Sequence, residues 1–201
     1  MKKNLLITGL VTLMTLPAFA KSIPAGTYTI DTAHSKIGFE ATHLVIATVE
    51  GRFKKFEGTI VIDEKLSKSK ANLDVDVASL DTDNTQRDDH LKSPDFFDTA
   101  NSPKLLFVTK KIVGSADKLK IVGDLTIKGK TKEVALDVKY LGDVNDAYGN
   151  HKVVFSAEGK INRKDFGLNW SSMVEAGPVV GDQIKLTIKI EANKPVEPKK
   201  G

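Results

Sequence analysis

The chain has 201 residues, a formal net charge of +4 and no cysteine. The lack of cysteine excludes disulfide-stapled secreted folds, thiolate catalysis and cysteine-ligated metals. Lysines are dispersed among acidic residues and form no basic stripe with interleaved aromatic residues, so we expect no nucleic-acid partner.

The N-terminal segment has the pattern of a secretory signal peptide. A pair of lysines precedes an apolar run from Leu5 to Leu16, and an A-x-A motif ends at Ala20. The run is shorter than the roughly 20 residues that a transmembrane helix needs. We therefore expect cleavage after Ala20 and a periplasmic protein without stable membrane insertion. The domain would span 21–193, and the Pro- and Lys-rich segment 194–201 would be a disordered tail.

Apolar and polar residues alternate over most of the remaining chain, which is typical of strands with one buried face. The clearest case is the pair of runs 119–127 and 132–140, whose short glycine-containing link predicts a hairpin. Several strands are longer than usual, which favours a barrel over a sandwich. The prediction is an all-β, eight-stranded antiparallel barrel with strands over 26–31 running on to 35–43, then 48–63, 70–79, 104–113, 118–128, 132–144, 151–163 and 183–193.

The longest connection carries two helix-start signals. Asp83 with Gln86 three positions later resembles a capping box. Ser93 before Pro94 resembles an N-cap followed by proline at the first helical position. We therefore expect two short helical turns between residues 83 and 98. Long connections with their own structure are often functional.

No segment presents a recognisable catalytic or metal-binding motif. The four histidines form no H-x-H or H-x-x-x-H pair, so we expect no metal and no cofactor. Asp31, His34 and Ser35 lie close together in sequence, but triads are assembled in space and this adjacency is weak evidence. Local hydrogen bonding at a strand break explains Asp31 and Ser35 better. A weak hydrolase stays open as an alternative.

Large rings and small residues share the inward-facing positions. Phe53 and Phe56 have opposite parities, so a bulge at the intervening lysines would aim both rings inward. An eight-stranded barrel is wide enough to hold one small ligand. Rings at the ends with small residues midway would leave a tunnel. The small residues in question are Gly58, Gly123, Ala157 and Gly159.

Five segments carry a resemblance to a known family. They are Tyr28-Thr29-Ile30-Asp31-x-x-His34-Ser35, Phe39-x-x-x-His43, Gly51-x-Phe53-x-x-Phe56-x-Gly58, Asp81-x-x-x-x-x-Arg87-Asp88-x-His90-Leu91-x-Ser93-x-Asp95-Phe96-Phe97 and Asn162-Arg163-x-x-Phe166-Gly167. Together they resemble the YceI-like family of exported, lipocalin-like bacterial proteins. The resemblance implies an eight-stranded barrel that holds a long polyisoprenoid or similar amphiphile, and it implies no catalytic residues.

We therefore expect a periplasmic carrier for a polyisoprenoid, such as a quinone tail or a polyprenyl phosphate. At the mouth, Arg87, His90 and Arg163 are candidates for the head group, although Arg87 could instead pair with a nearby aspartate. The alternative to a carrier is a packed barrel with an interaction or stress-response role and no lipid. The oligomeric state stays open, a homodimer included. The candidate tail-binding residues are Phe39, Phe53, Phe56, Phe97, Phe107 and Leu125.

Overall fold

The computed structural model describes residues 22–175 and 177–196. The predicted signal peptide and its cleavage site after Ala20 lie outside these residues. Within them, no helix is both long and apolar enough to cross a bilayer. The strands are β1 (Gly26–Ile30), β2 (Lys36–His43), β3 (Ala47–Phe53), β4 (Phe56–Ile62), β5 (Lys70–Asp76), β6 (Leu80–Asp81), β7 (Lys104–Ser115), β8 (Lys118–Ile127), β9 (Lys130–Asn145), β10 (Asn150–Asn162), β11 (Met173–Val174), β12 (Gly177–Pro178) and β13 (Val180–Pro195), with helix α1 at Thr85–Lys92 between β6 and β7.

The strands close into an antiparallel barrel, which confirms the predicted fold class. The order around the barrel is β1, β4, β5, β7, β8, β9, β10 and β13, and β13 pairs back with β1. The long strand β13 also pairs with β2, which in turn pairs with β3. Thus β1 and β2 together occupy one strand position of the barrel, and β4 and β3 together occupy the next position. Strand β13 runs through Pro195, so the sheet includes two residues of the expected tail; 197–201 lie outside the described residues.

The predicted hairpin is present between β8 and β9, with Ile127 opposite Lys130. Its two turn residues, Lys128 and Gly129, have φ values of +49° and +70°. Positive φ at both positions is the signature of a type I′ turn, whose twist matches that of the flanking strands. Glycine adopts this conformation without strain.

The chain breaks between β3 and β4 at the two lysines, as the parity of the neighbouring phenylalanines suggests. The amides of Lys54 and Lys55 leave the ladder and donate to the carbonyl and hydroxyl of Ser79. Because the break resets the alternation, the rings on both sides turn inward. Phe53 is 6% exposed and Phe56 is 9% exposed.

The long connection contains one helix and a tight turn in place of the two expected helical turns. Asn84, not Asp83, is the N-cap of α1, and its side chain accepts from the amide of Arg87. Asp83 has a φ of +57° and precedes the helix. The segment after Ser93 folds as a hydrogen-bonded turn, since the amides of Phe96 and Asp98 both donate to the Ser93 carbonyl.

The apolar core is divided between two clusters of buried side chains. One is centred on Tyr28, Phe53 and Val75, and the other on Phe107, Leu125 and Phe166. A compact domain of this size usually has one contiguous core. The clusters are bridged here by side chains that are only partly buried, namely Ile23, Leu66, Leu73, Phe97, Leu105, Phe155 and Ile188.

Candidate functional site: an apolar cavity and its adjoining groove

An apolar cavity of about 180 Å³ lies inside the barrel, between the two core clusters. It is lined by strands from all sides of the barrel and by Ile23 and Leu66. An engineered cavity of about 150 Å³ with similar side chains stays dry and binds apolar molecules. The strand residues that line it include Phe39, Phe53, Ile60, Leu73, Leu105, Phe107, Ile121, Leu125, Leu136, Phe155, Ala157, Leu186, Ile188 and Ile190.

The cavity exists because inward-pointing side chains in the middle of the barrel do not meet. Phe155 and Ala157 on β10, and Leu186 and Ile188 on β13, follow the period of a single strand face and remain only partly buried. A residue packed on all sides would be almost fully buried. The remaining exposure of these side chains is therefore exposure to the cavity.

The glycines expected to leave a tunnel do not create it. An added Cβ at Gly123 would lie 2.5 Å from the Phe107 ring, and one at Gly159 would lie 2.6 Å from Leu136. At Gly58 the corresponding space holds Ile30 and the Asn72 carbonyl. Neighbouring side chains and backbone carbonyls fill the space that each of these glycines leaves. The fourth small residue, Ala157, does line the cavity.

The structure separates the residues predicted to contact an apolar tail. Phe39, Phe53, Phe107 and Leu125 line the cavity. Phe39 packs on Phe53 with ring centroids 5.9 Å apart, and Phe97 meets Phe53 edge-on at 6.0 Å. Phe97 thus joins the long connection to the barrel wall. The Phe56 ring packs within the first core cluster instead of on the cavity.

A second depression, of about 480 Å³, lies between α1 and the β2–β3 and β12–β13 segments. We call it the groove. Phe39 borders both the groove and the cavity, so its ring stands between them. The tip of this ring lies against Gly51, where an added Cβ would come within 2.3 Å of the Phe39 Cζ atom. The other residues of the groove include His43, Val49, Asn84, Arg87, His90, Leu91, Phe96, Trp170 and Val180.

Two of the predicted head-group residues border the groove. Arg87 donates through Nε to the Thr82 hydroxyl at 2.8 Å and through a terminal nitrogen to the Thr82 carbonyl at 2.8 Å. Asp88, next along the helix, accepts from the same hydroxyl at 2.6 Å. This arrangement anchors α1 on β6. Among the described residues, the other N–H groups of Arg87 carry no hydrogen bond, so the guanidinium can still meet an anion.

His90 stands in an aromatic cluster at the same groove. Its ring meets Phe96 and Trp170 edge-on, at centroid distances of 5.1 and 5.0 Å. Its Nε2 lies 3.3 Å from an Asp95 oxygen. The cluster therefore gives the groove one largely apolar wall with a polar edge.

Arg163, the third predicted head-group residue, is 2% exposed and lies in the 3-10 turn after β10. Its Nε donates to the Gly181 carbonyl at 3.0 Å, and Nη1 donates to the Leu168 and Trp170 carbonyls. Its Nη2 donates to the Val180 carbonyl and, at 3.0 Å, to Asp182. An arginine has five N–H donors and all five are engaged. The side chain therefore fastens the loop that holds Leu168 and Trp170 to the start of β13.

The residues behind the hydrolase alternative belong to a charged cluster at a barrel edge. His34 Nδ1 lies 2.9 Å from a carboxylate oxygen of Asp31. Burial by itself would raise the pKa of the Asp31 carboxyl. Hydrogen bonds from His34, Asn193 and an amide outweigh burial and lower the pKa of Asp31 to about 2. Ser35 exchanges hydrogen bonds with the backbone of Glu191, so its hydroxyl is held by β13.

The same cluster has the spacing of a metal site, since Asp31, His34 and Glu191 place their ligand atoms within 4.8 Å of one another. However, Lys152 Nζ lies 2.6 Å from Glu191 and 3.6 Å from Asp31. The lysine ammonium already supplies the positive charge that the two carboxylates attract, so the cluster is better described as an ion-pair network.

Comparison with known proteins identifies the family to which the chain belongs. A family model described as a YceI-like domain matches residues 28–192. The chain belongs to the YceI-like family. It is similar to the protein named YceI from Escherichia coli, with 39% identity over 194 residues that cover 95% of this chain and 97% of that protein.

Two solved structures resemble this YceI-like domain. The crystal structure of BcnA from Burkholderia cenocepacia is 26% identical, has a TM-score of 0.72 and covers 81% of this chain and 98% of its own. The structure of a polyisoprenoid binding domain from Saccharophagus degradans, implicated in plant cell wall breakdown, has a TM-score of 0.61 at 17% identity, covering 84% and 98% of the two chains. At that identity the second likeness supports the fold alone.

The predicted tail-contact residues leave out several residues that line the cavity of the YceI-like domain, although Ala157 was expected to face inward. Leu186 and Ile188 on β13 line the cavity beside Phe155 and Ala157 on β10, and Ala157 faces Ile188. The available signal was their shared parity on two long neighbouring strands. Apart from Leu125, the predicted tail contacts were all phenylalanines, so they left out most of the aliphatic side chains of the cavity wall.

Proposed function

We propose that this protein is a periplasmic carrier or sequestering protein that holds a polyisoprenoid or similar amphiphile in its barrel. One observation carries the proposal, which is the apolar cavity of about 180 Å³ that the side chains leave unfilled. Burial of one methylene group is worth about 0.8 kcal/mol, so an isoprenoid tail gains affinity with every carbon that enters. A barrel whose role were only structural or adhesive would have no reason to stay hollow.

The tail would lie against Phe39, Phe53, Phe107 and Leu125, which all line the cavity. A long tail needs more room than the cavity gives, and the groove beyond Phe39 offers about 480 Å³. We therefore propose that the Phe39 ring rotates to let one chain run through both spaces. The proposal that the barrel holds a polyisoprenoid is also supported by the fold likeness to the polyisoprenoid binding domain named above.

The head group would lie in the groove beside Arg87 and His90. The guanidinium favours an anionic head such as a phosphate, because arginine matches phosphate geometry. A direct test is the affinity ratio of a polyprenyl phosphate to the matching polyprenol. Arg87→Gln should lower this ratio at least tenfold, since losing the charge affects only the phosphate. If the variant lowers the affinity for both lipids equally, Arg87 acts only by anchoring α1 through Thr82.

The decisive experiment is native mass spectrometry of the protein purified from periplasm without detergent. We expect an adduct with the mass of a long-chain amphiphile and a mature chain that begins at Lys21. Extraction of the same sample into organic solvent should release the lipid. Protein that carries no adduct and that, after delipidation, takes up no polyprenyl phosphate, polyprenol or quinone would contradict the proposed function.

A further inference from the structure

Two neighbouring hairpins at the groove expose apolar side chains. The β2–β3 turn consists of Leu44, Val45 and Ile46, which are 37%, 51% and 92% exposed. The β11–β12 hairpin presents Met173 and Val174, which are 70% and 43% exposed. Hairpin tips normally carry glycine, asparagine or aspartate. Here Leu44 and Val45 take the left-handed turn conformation, with φ values of +50° and +69°, without being glycine, asparagine or aspartate. We call the five apolar side chains the apolar tips.

The two turns touch and belong to one surface. The Leu44 amide donates to the Val179 carbonyl at 3.0 Å. A Cβ built on Gly177 would lie 3.0 Å from a Val45 methyl group. His43, which precedes the first turn, also contacts the Val179 carbonyl, and both residues border the groove. The apolar tips therefore stand at the rim of the space in which we place the head group.

The chain around the apolar tips is almost without charge. Segments 41–49 and 168–181 contain one charged residue, Glu175, in a protein in which 28% of residues are charged. The ring of Trp170 lies in the second segment and borders the groove. Exposed apolar side chains with few charges among them and a nearby tryptophan suit the interface of a lipid bilayer, where tryptophan is enriched.

The dimensions of the surface favour a bilayer over a second protein. A stable protein interface takes about 20–30 residues from each partner. The apolar tips offer five side chains, three on the β2–β3 turn and two on β11, and Ile46 is 92% exposed, with almost no neighbour to share an interface. A protrusion of this kind fits between lipid head groups without any complementary pocket.

We propose that the apolar tips dock on the surface of a lipid bilayer and set the groove against it, so that an amphiphile passes between membrane and barrel without crossing water. The transfer route rests on the proposed function, whereas the docking itself needs only the tips. Contact would be reversible, because the apolar tips are too few for stable insertion.

The test uses Trp170, which is the single tryptophan of the chain. The full-length mature protein is mixed with phosphatidylcholine vesicles that carry bromine atoms near the head group, and binding is measured by fluorescence quenching and by flotation. The variant Ile46→Glu with Met173→Glu should bind at least tenfold more weakly. The matched control is Val108→Glu with Val144→Glu, at sites 51% and 58% exposed on β7 and β9. It adds the same charge elsewhere and should bind as the parent does.

Three results would overturn the docking proposal. The parent protein could fail to float with vesicles, or the tip variant and the control could lose binding equally. Sedimentation could also reveal a dimer that only the tip variant disrupts, with no vesicle binding, which would assign the tips to a second copy. Affinity for a detergent-solubilised polyprenyl phosphate separates the two proposals. The tip variant should keep this affinity. A parent protein that does not bind the solubilised lipid would contradict the proposed function but not the docking proposal.

Discussion

Filling the cavity from within tests the proposed function most directly. Ala157 on β10 lines the cavity, faces Val138 and Ile188 on the neighbouring strands and is only partly buried. Ala157→Phe adds about six carbon atoms, which would take the place of about six tail carbons. At about 0.8 kcal/mol per carbon removed from water, the tail loses about 5 kcal/mol of binding free energy. The affinity for a polyprenyl ligand should therefore fall by about three to four orders of magnitude.

The matched control for this variant is Ala135→Phe. Ala135 is exposed on β9, so the same chemical change falls on the outer face of the barrel. Both variants are delipidated, and binding is measured by titration with a fluorescent polyprenyl ligand. We expect Ala135→Phe to bind as the parent does.

Equilibrium unfolding of the same variants tests the cavity itself. Ala157→Phe should leave the free energy of unfolding unchanged or raise it, because the ring enters empty space. Overpacking of a filled core would instead cost about 1–3 kcal/mol. Normal ligand affinity, or a loss of stability of that size, would refute the reasoning that the tail occupies this space.

Three further predictions follow from named contacts. Phe39→Leu should speed ligand uptake several-fold in stopped-flow measurements and Phe39→Trp should slow it, whereas equal rates would show that this ring is no barrier. Arg163→Met should lower the free energy of unfolding by about 3 kcal/mol, because it leaves buried carbonyls without donors, whereas Lys164→Met, which breaks only an exposed pair to Asp182, should cost at most about 1 kcal/mol. Burial would raise the pKa of Asp31, but hydrogen bonds outweigh burial and lower this pKa to about 2. Hydrogen bonds from Lys54 and Arg52 lower the pKa of Asp81 to about 2. Both therefore stabilise the fold above about pH 4, the ordinary pKa of aspartate, and this contribution is lost as the pH falls towards 2. The Asp31→Asn, Asp81→Asn double variant should show a shallower loss of stability over that range, and an identical slope would contradict the assignment.

Period-two alternation predicted the strands well because it reports a local property, which is one face buried and one face solvated. The same local chemistry located the β8–β9 turn and the break at Lys54-Lys55. It failed at the helix cap, where Asp83 and Asn84 are both good candidates. Their backbone angles decided between them, since Asp83 is left-handed and only Asn84 has the extended conformation of an N-cap.

The candidate site was harder to predict because its residues are defined by distant neighbours. Arg163 has the chemistry of an anion site, yet its partners come from Leu168, Trp170 and the start of β13, which only the fold brings around it. Gly123 has the local pattern of empty space, but the Phe107 ring from the adjacent strand covers it. Sequence alternation gives the direction of a side chain and not what meets it inside the barrel.

The hollow interior carries an energetic cost that a purely structural barrel would be expected to avoid. An unfilled cavity lowers stability by about 24 cal/mol per Å³, so a cavity of about 180 Å³ costs about 4 kcal/mol. This is a large share of the 5–15 kcal/mol that typically separates folded from unfolded states. The barrel tolerates it because closure through β1 and β13 satisfies the backbone without a packed centre, and each core cluster stabilises its own part of the wall. A larger residue at Ala157 would remove much of this cost in one step. The small side chain at that position is therefore best explained by an apolar ligand that occupies the space and recovers the lost contacts.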